Sequence, residues 1–374
     1  MSFIHSFRQN LADRAPADKY VVWVVLGLAA VGVVAVYSAV TYLAEVRAGT
    51  EPVHFLVNHL IRVTVALGVM WGVSLIDYRT LARYSQIALL GALVLLVAVK
   101  IAGFFSPGTD RWLQIAGVGF QPSELARVAL VFYVAILLVK KQEYVKSFSR
   151  TFLPILVWVV LTVGLIGLDD LSTALVLLGA VGLMSVVGRV SVVQIVGLGA
   201  LGVMMTFGVL STSPDRAARM EAYLGMDVLY QSRQARMAFA VGGLTGVGPG
   251  KSVQRDFLPA PYNDFIFAII AEEYGIIGAL ILLFGFCAVL FRGYLRIARD
   301  APDPLGLFLA VGFTTLIVTY GFVHAGVACG LLPVTGLPMP FVSYGGTSLL
   351  ANGIMTGVLL NISRHAGERS PRRK

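Results

Sequence analysis

The feature that most constrains this chain is a succession of apolar runs, each close to the roughly 20 residues a helix needs to cross a bilayer. About ten can be marked off, centred near residues 31, 68, 95, 131, 160, 180, 202, 275, 317 and 353. The sixth, Ser172 to Val187, is short and the weakest of them. Of the 374 residues, 57% are hydrophobic and 13% charged, with a mean hydropathy of +0.82, far from the usage of soluble domains. The pattern predicts an all-α polytopic membrane protein forming a single membrane domain over residues 1–374.

The charges then fix which loops share a side. With the amino terminus in the cytoplasm, Arg8, Arg14 and Lys19 fall inside, followed by Arg79 and Arg83, then Lys140, Lys141, Lys146 and Arg150. Arg189, then Arg292, Arg296 and Arg299, and finally the run from Arg364 to Lys374 continue the series. The intervening short loops, including Asp169-Asp170 and 330–345, are poor in Lys and Arg, as the positive-inside rule requires. Ten spans with both termini cytoplasmic satisfy it. The polar start is too long and too acidic for a cleavable signal peptide and reads as a cytoplasmic tail over 1–19, matched by a basic tail over 364–374. A net charge of +9 is thereby explained without a nucleic-acid partner. Cys287 and Cys329 lie in apolar runs and predict neither a disulfide nor a metal site.

One loop, residues 211–263, is long and faces outward while carrying Arg216, Arg219, Arg233, Arg236, Lys251 and Arg255. Cations on that side suggest an anionic ligand. The alternative is an amphipathic segment such as Gln234 to Val241 lying on lipid headgroups. Within this loop Gly246 to Ser252 reads GVGPGKS, but Thr245 stands where a phosphate-binding loop needs its first glycine and no strand precedes it. Gly242, Gly243, Gly246, Gly248 and Gly250 are better read as positions where backbone approaches closely. The five histidines show no ligand spacing, and no Ser, His and Asp arrangement can be assembled.

Three outward-facing segments remain. In Gly108 to Leu130, Pro122 opens a helix after Gln121, and Glu124 and Arg127 stand three residues apart on one face. They form either a structural ion pair or, with Arg127 turned to a polar cavity, a phosphate contact. In Leu258 to Gly278, a helix starting near Asn263 puts Asp264, Ala268, Ala271, Gly275 and Gly278 on one small-residue stripe, so another helix should pack against it. Asp264 is then a helix cap or a chemical group, with Asn263 a competing cap. Glu272 and Glu273 lie deeper and read as structural or coupling charges. In Gly330 to Gly353, Pro333, Pro338 and Pro340 preclude a continuous helix, and irregular backbone of this kind should form one wall of a site.

Together FQPSELAR, the glycine-rich 242–250 stretch, LPAPYNDFIFAIIAEEYG and GLLPVTGLPMPFVSYGGTSLL resemble, in order and over nearly the whole chain, the SEDS family (shape, elongation, division and sporulation). The last motif is closer to the division branch than to the elongation branch. The resemblance implies a peptidoglycan glycosyltransferase of the bacterial cytoplasmic membrane that polymerises lipid II into a nascent glycan strand at the outer leaflet. It makes Asp264 the catalytic residue, as general base or as ligand of a divalent cation (Mg or Mn). It implies a substrate-binding set of Arg111, Gln121, Ser123, Glu124, Arg127, Arg219, Lys251, Ser343 and Tyr344. Class B penicillin-binding protein, other divisome or elongasome proteins and membrane lipid are the implied partners. The chain departs from the family pattern at Arg127, where lysine is usual, at His324, where asparagine is common, and at 169–173, where only Asp170 carries over from a Gln-Pro-Asp-x-Gly-Thr pattern. A lipid II flippase and a noncatalytic divisome scaffold are the competing readings.

Overall fold

The computed structural model describes residues 16–42, 52–105, 111–115, 118–225 and 230–366. Of the tails expected over 1–19 and 364–374, residues 1–15, with Arg8 and Arg14, and 367–374 lie outside the described residues. Every apolar run folds as a helix: α1 (Lys19–Tyr42), α2 (Pro52–Leu75), α4 (Ser85–Phe105), α5 (Pro122–Lys140), α6 (Leu153–Gly167), α7 (Leu171–Val187), α8 (Val192–Thr212), α11 (Ile266–Arg292), α12 (Pro304–Ala328) and α13 (Gly346–Arg364). Three shorter helices, α3 (Tyr78–Arg83), α9 (Pro214–Leu224) and α10 (Tyr230–Gly242), lie between them. A two-stranded antiparallel ribbon, β1 (Leu113–Ile115) and β2 (Val118–Phe120), pairs Leu113 with Phe120.

Among the described residues eight helical segments are long and apolar enough to cross a membrane. The remaining two runs differ for physical reasons. α7 has only 17 residues, set by the Asp170 side chain accepting from Thr173 N at one end and by Gly188 at the other. α13 is diluted by Asn352, Thr356 and Asn361, all buried in protein. Asn361 accepts from Tyr78 N at 3.0 Å and donates to Ser74 O at 2.9 Å, so it ties the end of α2 to the start of α3.

α5, α12 and α13 form the middle of the bundle, with most residues buried. α13 presses on α2 through glycines, since a Cβ at Gly353 or Gly357 would stand 2.5 or 2.6 Å from the carbonyl oxygens of Ala66 and Met70. Such close approach of small residues is what drives helix association where water supplies no hydrophobic push. The outside of the bundle is apolar: Trp23, Phe207 and Val193 are 70%, 70% and 81% exposed, a surface suited to lipid tails. Segments expected on one side do meet at one end. Arg292 pairs with Asp18, Asp18 N donates to Ser363, and Tyr78 and Arg79 both reach Asp303 at 2.7 Å. Arg216, Arg219 and Gln231 of the long loop, Asp169-Asp170 and Pro333 to Gly336 gather at the opposite end.

α11 departs from the expectation of one continuous small-residue stripe. The helix starts at Ile266, and Gly275 is non-helical (φ 69, ψ −173), so the stripe is broken there. Backbone from the long loop fills the break: Ile276 N donates to Gly243 O at 2.9 Å, while Val247 N and Gly248 N donate to the carbonyls of Glu272 and Glu273, each at 3.0 Å. The freed helix groups are thereby satisfied. A Cβ at Gly242 would stand 2.1 Å from Ala271 O and one at Gly246 2.2 Å from Glu273 O, which is the close approach these glycines imply. The partner packed on Ala271 is α10, so its buried face, Ala235, Ala238 and Gly242, meets protein where a purely lipid-facing helix was the alternative.

Glu272 and Glu273 clamp the same loop. Glu272 accepts from Ser252 Oγ at 2.5 Å and from Val253 N at 3.0 Å. Glu273 accepts from Ser38 Oγ, whose own backbone carbonyl accepts from Arg255 at 3.1 Å. Both carboxylates are spent on bonds that anchor the loop and α1.

Candidate active site

Asp264 sits in the turn before α11. Ala260 adopts a left-handed conformation (φ 51), and its carbonyl accepts from the amides of Asn263 at 3.0 Å and Asp264 at 3.1 Å. Phe265 occupies the cap position without a side-chain bond, so neither Asn263 nor Asp264 caps the helix. Asn263 Nδ2 instead donates to Asp264 Oδ1 at 2.9 Å, turning the carboxylate. The proline-rich segment holds this turn from behind. Ser343 Oγ donates to Asn263 O at 2.8 Å while accepting from Met339 N at 2.8 Å, and Tyr344 N donates to Tyr262 O at 3.0 Å. That segment is itself wedged on α1, where a Cβ at Gly32 would lie 2.7 Å from Val342 Cα.

Two cavities open on either side of Asp264, and both are lined by Asp264, Arg111, Asp170 and Gly336. The first, about 310 Å³, adds Arg216, Arg219, Asp169, Gln231 and Pro333 to Thr335. The second, about 300 Å³, adds Trp112, Tyr262, Tyr344, Gln121, Glu124, Asn263 and Ser348. One wall is cationic and the other aromatic and amide-rich. The segment with Pro333 and Pro338 forms a wall of both, as its irregular backbone implies.

The cationic wall is built on the end of α6. Arg216 donates to the carbonyls of Gly167 at 3.2 Å, Leu168 at 2.8 Å and Asp169 at 2.7 Å, and Arg111 also donates to Asp169 O. Last-turn carbonyls of a helix suit cations well. The Asp169 carboxylate pairs with Lys100. Burial, then the nearness of Arg111 and Arg219, holds the Arg216 guanidinium below its usual range. Cations crowded in this way favour an anion between them.

Withdrawal from water pushes the Asp264 carboxyl up to about 6, with Arg111 pulling against that rise and Asp170 adding to it. The group is therefore ionised near neutral pH yet more basic than an ordinary aspartate, which suits a general base.

The residues singled out in the sequence are distributed unevenly. Asp264, Arg111, Gln121, Glu124, Arg219 and Tyr344 line the cleft. Ser123 lies beside it, with Gln121, Asp169 and Asp170, on a gap of about 10 Å³. Ser343 is buried behind the cleft wall, and Lys251 lines neither cavity. Arg127 is fully buried, 2.5 Å from Glu124 Oε2 and with its guanidinium 4.2 Å above the Tyr320 ring; it lines neither cavity. His324 is buried, its Nδ1 within 2.8 Å of Leu337 O. The aromatic wall of Trp112 and Tyr262 was missed, although each adjoins a residue already marked, Arg111 and Asn263. Among the described residues no three His, Cys, Asp or Glu side chains converge as a metal site.

This fold and cleft define a polytopic membrane protein with an acidic group set between two polar cavities, and comparison with known proteins gives its kinship. Residues 19–368 match the FtsW, RodA and SpoVE family model, described as cell cycle protein, and the chain belongs to that family. It is 36% identical over 367 residues to the probable peptidoglycan glycosyltransferase FtsW of Geobacter metallireducens, covering 96% of this chain and 97% of that protein. Stage V sporulation protein E of Bacillus subtilis is 36% identical over 93% of this chain and 97% of its own length. Among solved structures, a chain from a peptidoglycan synthase complex studied for coordination of polymerization and crosslinking superposes with TM-score 0.75 at 25% identity, covering 94% of this chain and 98% of that one. The rod shape determining protein RodA of Thermus thermophilus gives 0.66 at 26% identity, covering 93% and 97%. The chain is a bacterial multi-pass membrane protein.

Proposed function

We propose that this protein is a peptidoglycan glycosyltransferase that polymerises lipid II at the outer face of the cytoplasmic membrane during cell division. The observation that carries the reading is Asp264, a carboxylate of raised basicity standing between a cationic and an aromatic wall. The reaction joins an acceptor sugar hydroxyl to the anomeric carbon of a growing strand and releases a polyprenyl pyrophosphate. Asp264 takes the hydroxyl proton as the new C–O bond forms and the bond to pyrophosphate breaks. Arg111, Arg216 and Arg219 face the charge that develops on the leaving group, and preorganised cations in a site shielded from water stabilise it strongly. Trp112, Tyr262 and Tyr344 offer faces for sugar rings, while Gln121, Asn263 and Ser348 offer hydrogen bonds.

In this reading all ten helices span the membrane and both termini are cytoplasmic, the arrangement that the loop charges favour. That arrangement puts the cleft on the outer side, where the substrate headgroup is displayed. A divalent ion at Asp264 would take its other oxygens from the substrate pyrophosphate and water; no step above depends on one. The partner this reading implies is a class B penicillin-binding protein. Purified protein with that partner should convert lipid II to glycan polymer, whereas translocation of lipid II across liposomes without polymer would overturn the proposal.

A further inference from the structure

Behind the cleft floor a buried polar string joins its two flanking carboxylates, Asp170 and Glu124. Asp170 Oδ1 accepts from Thr173 N at 3.0 Å, and Oδ2 accepts from Thr173 Oγ1 at 2.8 Å. Tyr320 O–H then lies 3.1 Å from Thr173 Oγ1. The direction of these bonds follows from counting hydrogens. An ionised carboxylate only accepts, so the single hydroxyl hydrogen of Thr173 is committed to Asp170 and its oxygen can only accept from Tyr320. Tyr320 is wholly buried, with the Arg127 guanidinium 4.2 Å above its ring, and Arg127 in turn pairs with Glu124. Glu124 emerges on the aromatic cavity and Asp170 on both.

We propose that Tyr320 is a positioning residue for glycosyl transfer: its hydroxyl, through Thr173, locks the Asp170 carboxylate in the cleft opposite Asp264. A cap needs only the Asp170–Thr173 N bond. The second bond, oriented by Tyr320 from the neighbouring helix α12, fixes the carboxylate's rotation as well as its place. The electrostatics agree in direction, because Asp170 is the neighbouring carboxylate that raises the Asp264 proton affinity. Hydrogen-bonded chains in a low-dielectric interior strengthen one another, and the Arg127 charge over the phenol favours an electron-rich ring beneath it.

The inference rests on the glycosyltransferase reading, and one set of variants separates the two. Lipid II polymerisation is measured for the protein with its partner as wild type, Tyr320→Phe, Thr173→Val, Thr173→Ser and the double variant Tyr320→Phe/Thr173→Val, alongside thermal unfolding. Tyr320→Phe removes one oxygen and keeps the ring under Arg127, so the unfolding temperature should stay near wild type. The turnover number should fall about tenfold with KM within about twofold, the signature of misplacement in the transition state. Thr173→Val should match it, Thr173→Ser should retain wild-type turnover, and the double variant should be no slower than Thr173→Val alone. Unchanged turnover in Tyr320→Phe, additive losses in the double variant, or a Thr173→Ser as slow as Thr173→Val would overturn the inference. A loss that tracks unfolding temperature in both Tyr320→Phe and Thr173→Val would overturn it equally. Failure of the wild type itself to polymerise lipid II would instead remove the reading beneath it.

Discussion

Asp264 and the Glu124–Arg127 pair are both charges in a greasy chain, and the fold treats them oppositely. Glu124 and Arg127 lie 2.5 Å apart at 2% and 0% side-chain exposure, Arg127 within the core and Glu124 at the edge of the aromatic cavity. Asp264 is also taken largely out of water, but its hydrogen-bond partner is the neutral Asn263 and its neighbours of opposite sign lie across open cavities. A buried pair is neutralised internally and costs fold stability when broken. A cavity-wall carboxylate that is not spent on an ion pair keeps its basicity for a substrate. Charges that look alike in sequence thus separate into a pair spent on each other within α5 and one carboxylate that can do chemistry.

The comparison can be broken most forcefully at Asp264. Asp264→Asn keeps the shape of the turn and removes the base, so polymerisation should fall about 10²- to 10⁴-fold while unfolding temperature is preserved. The opposite pattern is expected at the pair. Arg127→Ala strands Glu124 without its partner and should destabilise by about 3–5 kcal/mol, seen as a lowered unfolding temperature, with activity per folded molecule much less affected. The paired replacement Glu124→Gln/Arg127→Met should recover a large part of that stability. Arg216→Ala sharpens the contrast on the cleft side. It removes one cation from the leaving-group wall and should lower turnover about 10²-fold at near-normal stability. Tyr344→Ala, which strips one sugar-facing ring, should show mainly as a KM several-fold higher, about tenfold at most.

Much of this was legible in the residues because the signals were local. Ten apolar runs become ten helices, and proline spacing alone marks the 333–345 segment as non-helical. What could not be read was which way a buried side chain turns. Arg127 lies in the first turns of α5, three residues from Glu124, a spacing equally compatible with an ion pair or a cavity contact. Only the placement of Tyr320, nearly two hundred residues on, decides it. The break in α11 was likewise hidden. Glycine at position 275 is compatible with close packing or with a kink, and the choice depends on loop backbone from 243–248 arriving to satisfy the freed groups. Lys251 and Ser343 stand out by charge and motif, yet the first lines neither cavity and the second spends its hydroxyl on Asn263 O and Met339 N.

The pH dependence of polymerisation is the most direct measurement of the central claim. A base whose proton affinity is raised to about 6 must be ionised to act, so turnover should be level near neutrality, half-maximal near pH 6 and falling about tenfold per pH unit below it. Turnover that stays flat from about pH 7 down to about pH 4, the range of an ordinary carboxylate, would contradict the assignment of Asp264 as the base.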